Sequence, residues 1–419
     1  MDFGQWTSQF EMRLRHRWPE SGAYDEMKAL LCDVHELMLP RYAPSALENA
    51  YAMLSEPTLG GESRKWQSLL TRAGPPSRLL PVDVEEAALW VGGLVRACDV
   101  LCHQALGYLT PPPGQWKSGD WWVVPVPRQV PWRQPKQGDG FHRRGLRHHR
   151  LIPTTVRGMT VEMWRFPKSD KPLGQPLTKL GAAVFNDVAL ETASDGTGRF
   201  HVQGIKVHDV AAAIEEHFRH AASGRCFAVV WPELTVPGEV RGFIEHLVVS
   251  TQGRGAEIYV AGSWHESETA GRYNVSHVYD RFGVDTVQHR KFVPFLDTHH
   301  GRESIERGDS LHVIVTDHYI VSVAICKDFC GITSGSSPFA DLNVDLLLVP
   351  SMSTRSAMGS HQTVAKTIRH SVGTRTFVVQ QMDETVGDVH ALVLVPKPDP
   401  LTTALEMKER KIWISAEVT

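Results

Sequence analysis

The sequence predicts an α/β protein preceded by an α-helical domain, and three observations carry that reading. From about residue 176 onward, short apolar runs such as Leu180–Phe185, Glu257–Ala261 and Asp345–Val349 alternate with stretches of helical period, the texture of a layered α/β domain. The first 110 residues carry helix-period stripes and no catalytic motif. Third, the run Val321-Ser-Val-Ala-Ile-Cys-Lys-Asp-Phe-Cys330 breaks at Cys326 and leads into Gly331 and a Gly/Ser loop over 334–337. That reads as a buried strand delivering a cysteine at its C-terminal end, where α/β sheets place their chemistry. The competing reading is a core cysteine, one of the residue types most often buried.

Composition sets the bounds. A chain of 419 residues allows two or three domains, or one large α/β domain with an appendage. With 42% hydrophobic and 22% charged residues it can build a sizeable core. The six cysteines form no CxxC pair and show no zinc-ligand spacing, so a reducing, cytoplasmic compartment is expected rather than a disulfide framework. No apolar run approaches the length of a membrane span, and no secretory leader is apparent at Met1. The net charge of −3 conceals −4 over residues 1–110, +8 over 111–175 and −7 over the remainder.

In order along the chain, Asp25–Leu39 places Met27, Leu30, Leu31, Val34 and Met38 on one helical face before Pro40. Ser45–Leu54 and Ser63–Ala73 read as shorter helices opening on a serine cap. Val82–Leu109 is the longest, with Asp83, Glu85 and Glu86 favouring its N-terminal dipole. Cys98, Cys102 and His103 read as helix packing rather than a metal site. Residues 111–175 are expected to be a basic linker rich in Pro and Trp, densest over Phe141–Arg150. Such a stretch could bind a polyanion by phosphate contacts and stacking; the alternative is a solvated linker. From 176 the expected elements are a strand at Leu180–Phe185, a helix from an Asp209 cap to Ala222, and a strand at Phe227–Leu234. A helix near Glu239–Thr251, a strand at Glu257–Ala261 and a hairpin ending at Lys291 follow. Strands at Leu311–Val315, before Cys326 and at Asp345–Val349 precede a helix near His361–Val372. Strands at Thr376–Gln380, Ala391–Val395 and Lys411–Glu417 complete the domain. The 21 histidines, His299 and His300 among them, lack ligand spacing and read as loop and surface residues.

Three of these segments end on reactive side chains. Phe227-Ala-Val-Val-Trp-Pro-Glu-Leu234 delivers Glu233; Tyr273-Asn274, continued through Val287-Gln-His-Arg-Lys-Phe292, delivers Lys291; the third delivers Cys326. No HExxH, GxSxG, GxGxxG or P-loop motif competes. In these motifs and their order the chain resembles the nitrilase superfamily of carbon–nitrogen hydrolases over roughly residues 176–419. The resemblance implies a four-layer αββα sandwich and a Glu233–Lys291–Cys326 triad working without a metal or organic cofactor. It further implies that Glu303, in Gly301-Arg-Glu-Ser304, orients the lysine, with Glu306 as the fallback. The backbone N–H of Lys327 would join the oxyanion site, and Tyr273, Asn274, Asp328 and Ser351 are candidates to line the substrate pocket. The family's Arg-Ala-x-Glu helix is not matched, since Ile368–Arg375 keeps arginines without the glutamate. Cys330 is the competing thiol.

The function expected from the resemblance is hydrolysis of a non-peptide C–N bond in an amide, N-carbamoyl compound or nitrile, through a cysteine thioester. The expected partners are a small-molecule substrate, a second copy of the chain, and a protein contacting residues 1–175. A nucleic acid on the basic stretch is the weaker expectation, and no membrane is involved. An effector within a larger microbial assembly is one setting that fits. The alternative is a scaffold that keeps the fold without turnover.

Overall fold

The structure is a computed structural model. It describes the whole chain except residues 73, 76–80, 82, 108–110, 128–136, 169–176, 298–300, 332–336, 397–403, 409 and 419. Two compact units divide between Thr154 and Thr155.

In the first unit the helices are α1 (Phe3–His16), α2 (Tyr24–Leu37), α3 (Ser45–Met53), α4 (Glu56–Leu70), α5 (Val84–Leu106) and the short α6 (Phe141–Arg144). Strands β1 (Lys117–Ser118), β2 (Trp121–Pro125) and β3 (His149–Pro153) form an antiparallel sheet. Trp6, Phe10 and Leu14 of α1, one turn apart, are fully buried among Leu30, Leu31, Val34 and Leu37. Burial on that scale stabilises by roughly 1.5–3 kcal/mol per large side chain. Helix α4 begins at Ser55, whose hydroxyl accepts from Thr58 N–H at 3.2 Å, and not at Ser63 as the serine pattern suggested. Gly60-Gly61 lies inside it, tolerated because Leu59, Trp66 and Leu70 pack inward.

The stretch 111–175 is not a linker where it is described. Strands β1–β3 belong to the first unit, and the chain from Thr155 belongs to the second. Its tryptophans supply the reason: Trp116 is fully buried and donates to Pro111 O at 3.0 Å. Part of the basic patch turns inward, at Arg144, His149 and Arg150. Arg144 is fully buried and, with Arg96 and Arg147, donates to the Glu56 carboxylate at 2.6 Å, so these cations are not a free row for phosphates.

Burial works against the Glu56 charge, but Arg96 and Arg144 outweigh it and hold the carboxyl at about 2, below the usual value near 4.3. A depressed folded value means stability that is present above about pH 4.3 and lost as the pH falls towards 2. Glu56→Ala leaves the Arg144 guanidinium buried and unpaired, so a loss of about 3 kcal/mol is expected in urea unfolding at pH 7, shrinking as the pH drops to 3. Equal stability at pH 7 would show that the arginines find other partners.

Among the described residues the second unit holds three sheets. One runs β11-β12-β10-β9-β6-β22, with β13 also on β12; a second runs β21-β20-β19-β18-β17-β16-β5-β4; the third runs β14-β15-β8-β7. In chain order the strands are β4 (Thr155–Val156), β5 (Met159–Arg165), β6 (Lys179–Ala183), β7 (Ala189–Ser194), β8 (Arg199–Lys206), β9 (Ala228–Val230), β10 (Ile258–Val260), β11 (Trp264–Glu268) and β12 (Gly271–Asp280). They continue with β13 (Asp285–Arg290), β14 (Leu296–Asp297), β15 (Gly301–Glu303), β16 (Ser310–Val315), β17 (Ile320–Val323), β18 (Leu346–Ser353), β19 (Arg375–Val386), β20 (Val389–Leu394), β21 (Leu405–Lys408) and β22 (Trp413–Glu417). Between them lie α7 (Val210–Gly224), α8 (Gly238–Ser250), α9 (Lys327–Cys330), α10 (Pro338–Asp341) and α11 (Arg355–Val372).

The two large sheets face each other, β9 against β18 and β6 against β19. Helices α7 and α8 cover the outside of the first, through Ile214, Val240, Ile244 and Val248, and α11 covers the second at β19 and β20. This is the four-layer αββα sandwich that the resemblance implies. Its central parallel strands are buried on both faces, which is why β9 and the first half of β18 read as apolar runs without alternation.

Candidate active site

Each expected reactive side chain leaves the end of a strand or the turn after it. Glu233 follows β9 through Trp231-Pro232, and Leu234 turns the chain with a left-handed φ of 58°. Lys291 follows β13 and is fixed by its N–H donating to Asn274 O at 2.9 Å. Glu303 ends β15. Cys326 lies between β17 and α9 with φ 42° and ψ −100°, a conformation an L-residue holds only at a cost of roughly 1–3 kcal/mol. Its N–H donates to Pro350 O at 2.9 Å, and its thiol points at Met352 O at 3.9 Å.

The side chains converge. Lys291 Nζ donates to Glu233 Oε1 and to Glu303 Oε2, both at 2.7 Å. Asn274 Nδ2 bridges the same two carboxylates at 3.0 Å each, and Met352 N–H donates to Glu233 Oε2 at 3.1 Å. Glu303 also accepts from Phe295 N–H at 2.8 Å and from His265 Nε2 at 2.9 Å. His265 Nδ1 accepts from Val202 N–H at 2.8 Å, which places its proton on Nε2. Glu233, Lys291, Glu303 and Cys326 are each at most 3% exposed.

Two carboxylates sharing one ammonium titrate as a set. Burial works against the Lys291 charge, but Glu233 and Glu303 outweigh it and hold the ammonium well above its usual range. Glu303 is driven far below the usual carboxylate range despite its burial, by Lys291 and His265. Glu233 is pushed well above it, by burial and then by the neighbouring Cys326. This is the division expected when like charges crowd one site. A hydrogen bond to the Cys330 thiol, with burial, pushes the Cys326 thiol up to about 11, against the pull of His361 and Lys291. The same bond holds Cys330 below a free thiol, against its burial.

The pocket candidates divide. Asn274 faces the carboxylates, so its neighbour Tyr273 faces the opposite side of the strand, where Arg290 lies 4.2 Å over its ring. Asp328 does not face a pocket. It is fully buried, and its Oδ1 accepts from Phe292 and Val293 N–H at 2.9 and 2.7 Å, tying the Lys291 loop to the turn that carries Cys326. Burial pushes its carboxyl up, opposed by His289. Ser351 Oγ lies 3.2 Å from His361 Nε2. Glu306 is exposed and takes no part in the lysine contact. Lys327 opens α9, so its N–H has no intrahelical acceptor.

The sequence reading missed the histidines. Ten of them are buried among the described residues, including His265 and His361, contrary to the expectation of loop and surface positions. His299 and His300 lie outside the described residues. His361 stacks on Phe329 with ring centroids 5.8 Å apart, and its Nδ1 has no partner among the described residues. Its place on the apolar face of α11, between Met358 and Ile368, is the signal that periodicity offered.

No family model and no curated protein matches the chain. Among solved structures it is similar to the amidase from Nesterenkonia sp. AN1 carrying acrylamide added at its active-site cysteine. The identity is 12%, over 58% of this chain and 93% of that one, with a TM-score of 0.42. It is likewise similar to Saccharomyces cerevisiae Nit3, a member of branch 10 of the nitrilase superfamily, at 18% identity over 60% and 93% of the two chains, with a TM-score of 0.40.

Proposed function

We propose that this protein is a hydrolase of non-peptide C–N bonds, with small amides as the substrate class, working through a thioester on Cys326. The observation that carries it is the buried Lys291 ammonium held at 2.7 Å by both Glu233 and Glu303, in electrostatic reach of a thiol on a strained turn. Such a cluster is costly to build for stability alone, since buried ion pairs often add little to it.

In the proposed reaction Sγ of Cys326 attacks the amide carbonyl carbon while Glu233 takes the thiol proton. The oxyanion forms between the Lys291 ammonium and the Lys327 N–H, which are fixed before the charge appears. Collapse breaks the C–N bond, and Glu233 hands its proton to the departing nitrogen, leaving an acyl thioester. Water, relieved of a proton by Glu233, then hydrolyses it and frees the thiol. Glu233 would contribute roughly 10²–10⁴-fold as a general base, and its raised titration suits that role near neutral pH. Glu303, Asn274 and His265 position the lysine.

Trapping with a small amide electrophile tests this. Acrylamide is expected to modify Cys326 in the full chain, and the adduct is expected to persist in Cys330→Ser and to lose its acid-side pH dependence in Glu233→Gln, read by peptide mass mapping. The base must be ionised to work, so modification should fall on the acid side at a pH well above the ordinary carboxylate value. Adducts on Cys330 alone, or a pH profile that Glu233→Gln does not alter, would overturn the assignment. A second reading, a scaffold without turnover, is favoured by the burial of Cys326, 3% exposed. Equal, slow modification of every accessible cysteine with no ammonia released from an amide panel would support it instead.

A further inference from the structure

We propose that a basic recess between β8 and β15 is a binding site for a small oxyanion, the acidic end of a carboxylate- or phosphate-bearing small molecule. The proposal concerns binding and does not require turnover.

Arg199, Arg302, Arg307, Ile305 and Glu306, with Glu303, line a recess of about 330 Å³. A neighbouring recess of about 270 Å³ shares Arg199, Ile305 and Glu306 and adds Arg272. Strand pairing brings the first two guanidinium-bearing residues together: β15 runs parallel to β8 with Arg302 directly opposite Arg199. Like charges directly opposite on adjacent strands destabilise a sheet. The approach is enforced locally, because Gly301, at φ +82°, could carry no Cβ without bringing it within 2.1 Å of Gly198 O.

The carboxylates nearby do not neutralise the recess. Glu303 is committed to Lys291 at 2.7 Å and Glu268 to Arg290 at 2.8 Å. Among the described residues no carboxylate lies within ion-pair distance of Arg199, Arg272, Arg302 or Arg307. That sets four guanidiniums against Glu306 and against Asp195, whose carboxylate is taken up by the Ser304 hydroxyl at 2.7 Å and the Arg199 N–H at 3.3 Å. Elsewhere in the same unit Arg165, Arg241, Arg290 and Arg355 each have an acidic partner. Planar guanidinium forks match carboxylate and phosphate oxygens two at a time, and a bound oxyanion would remove the repulsion across the β8–β15 pair. Because Glu303 and Arg302 are consecutive on β15, an anion held here lies next to the strand position that contacts Lys291.

Titration calorimetry of the full chain with succinate and with inorganic phosphate tests the proposal. Saturable binding of at least one is expected, weakening as salt is raised. An Arg199→Ala/Arg302→Ala variant is expected to bind about tenfold more weakly or worse, the equivalent of about 1.4 kcal/mol. Arg302→Lys should fall between, having charge without the fork, and the exposed Arg219→Ala should bind as the parent does. Two sources are separated by acrylamide modification of Cys326 under saturating succinate. A slowed reaction assigns the recess to the acidic end of a molecule that also occupies the cysteine site. An unchanged rate with binding retained assigns it to a separate anion. Absence of saturable binding by both probes, or equal weakening in Arg219→Ala, overturns the proposal.

Discussion

Cys326→Ala is expected to abolish amide turnover, by on the order of 10⁴-fold or more, while leaving the unit folded. The size follows from the division of labour. With the sulfur gone no thioester can form, and what remains is electrostatic stabilisation of an uncatalysed attack by water. The fold should survive because only one buried atom is removed, and alanine keeps the backbone of the turn that Pro350 O and the start of α9 hold in place. Ammonia release and a thermal melt on the same preparation check both halves. Cys330→Ser should retain most of the activity, since serine keeps a hydrogen-bonding side chain beside the thiol of Cys326. Turnover surviving in Cys326→Ala, or lost in Cys330→Ser and not in Cys326→Ala, would transfer the nucleophile to the other thiol.

Lys291→Met is expected to cost stability as well as turnover. In the parent the ammonium is shared by Glu233 and Glu303 at 2.7 Å each. Methionine fills similar volume but leaves two carboxyls facing one another out of water. Removing one partner of a buried ionic group costs roughly 3–5 kcal/mol. The sign with pH is distinctive. Without the cation both folded-state carboxyls titrate above their unfolded values, so the variant is most stable at low pH and loses stability as the pH rises through those values. Melting temperatures at pH 5 and pH 8 should therefore diverge in the variant far more than in the parent. A variant as stable as the parent at pH 8 would mean that the carboxylates are not held by this lysine.

Glu233 and Cys326 were legible in the sequence because each closely follows an apolar strand-like run, whereas Lys291 and Glu303 stood out through the motifs of the family resemblance. Residue type, order and flanks are local properties, so Glu233, Lys291, Glu303 and Cys326 are recognisable from the order of residues alone. Elements with strong local signals were legible too: Asp209 caps α7 as expected, while Asp83, expected in the first turn of α5, is instead its cap. Tyr273 and Asp328 were misplaced for a different reason. Which face of β12 turns inward is settled by its pairing with β11 and β13, and the Asp328 carboxylate is claimed by amides 35 and 36 residues earlier in the chain. His265 and His361 carry no motif; the helical period of α11 pointed to His361 alone, and the burial of His265 came from the packing of distant elements.

By itself the sequence determined the α/β class and the helical beginning, and through a resemblance it offered Glu233, Lys291, Glu303 and Cys326 as candidates. It did so because strand and helix periods, and a reactive side chain after an apolar run, are written over ten or so neighbouring residues. Tertiary structure alone decided where the two units divide. It buried Trp116 and Arg144 in the first, and it set the Glu303 carboxylate beside Lys291 and Arg302 opposite Arg199. Each of these outcomes depends on strand pairing and on the burial of charge between residues far apart in the chain, and those free energies exist only once the sheets have closed on one another.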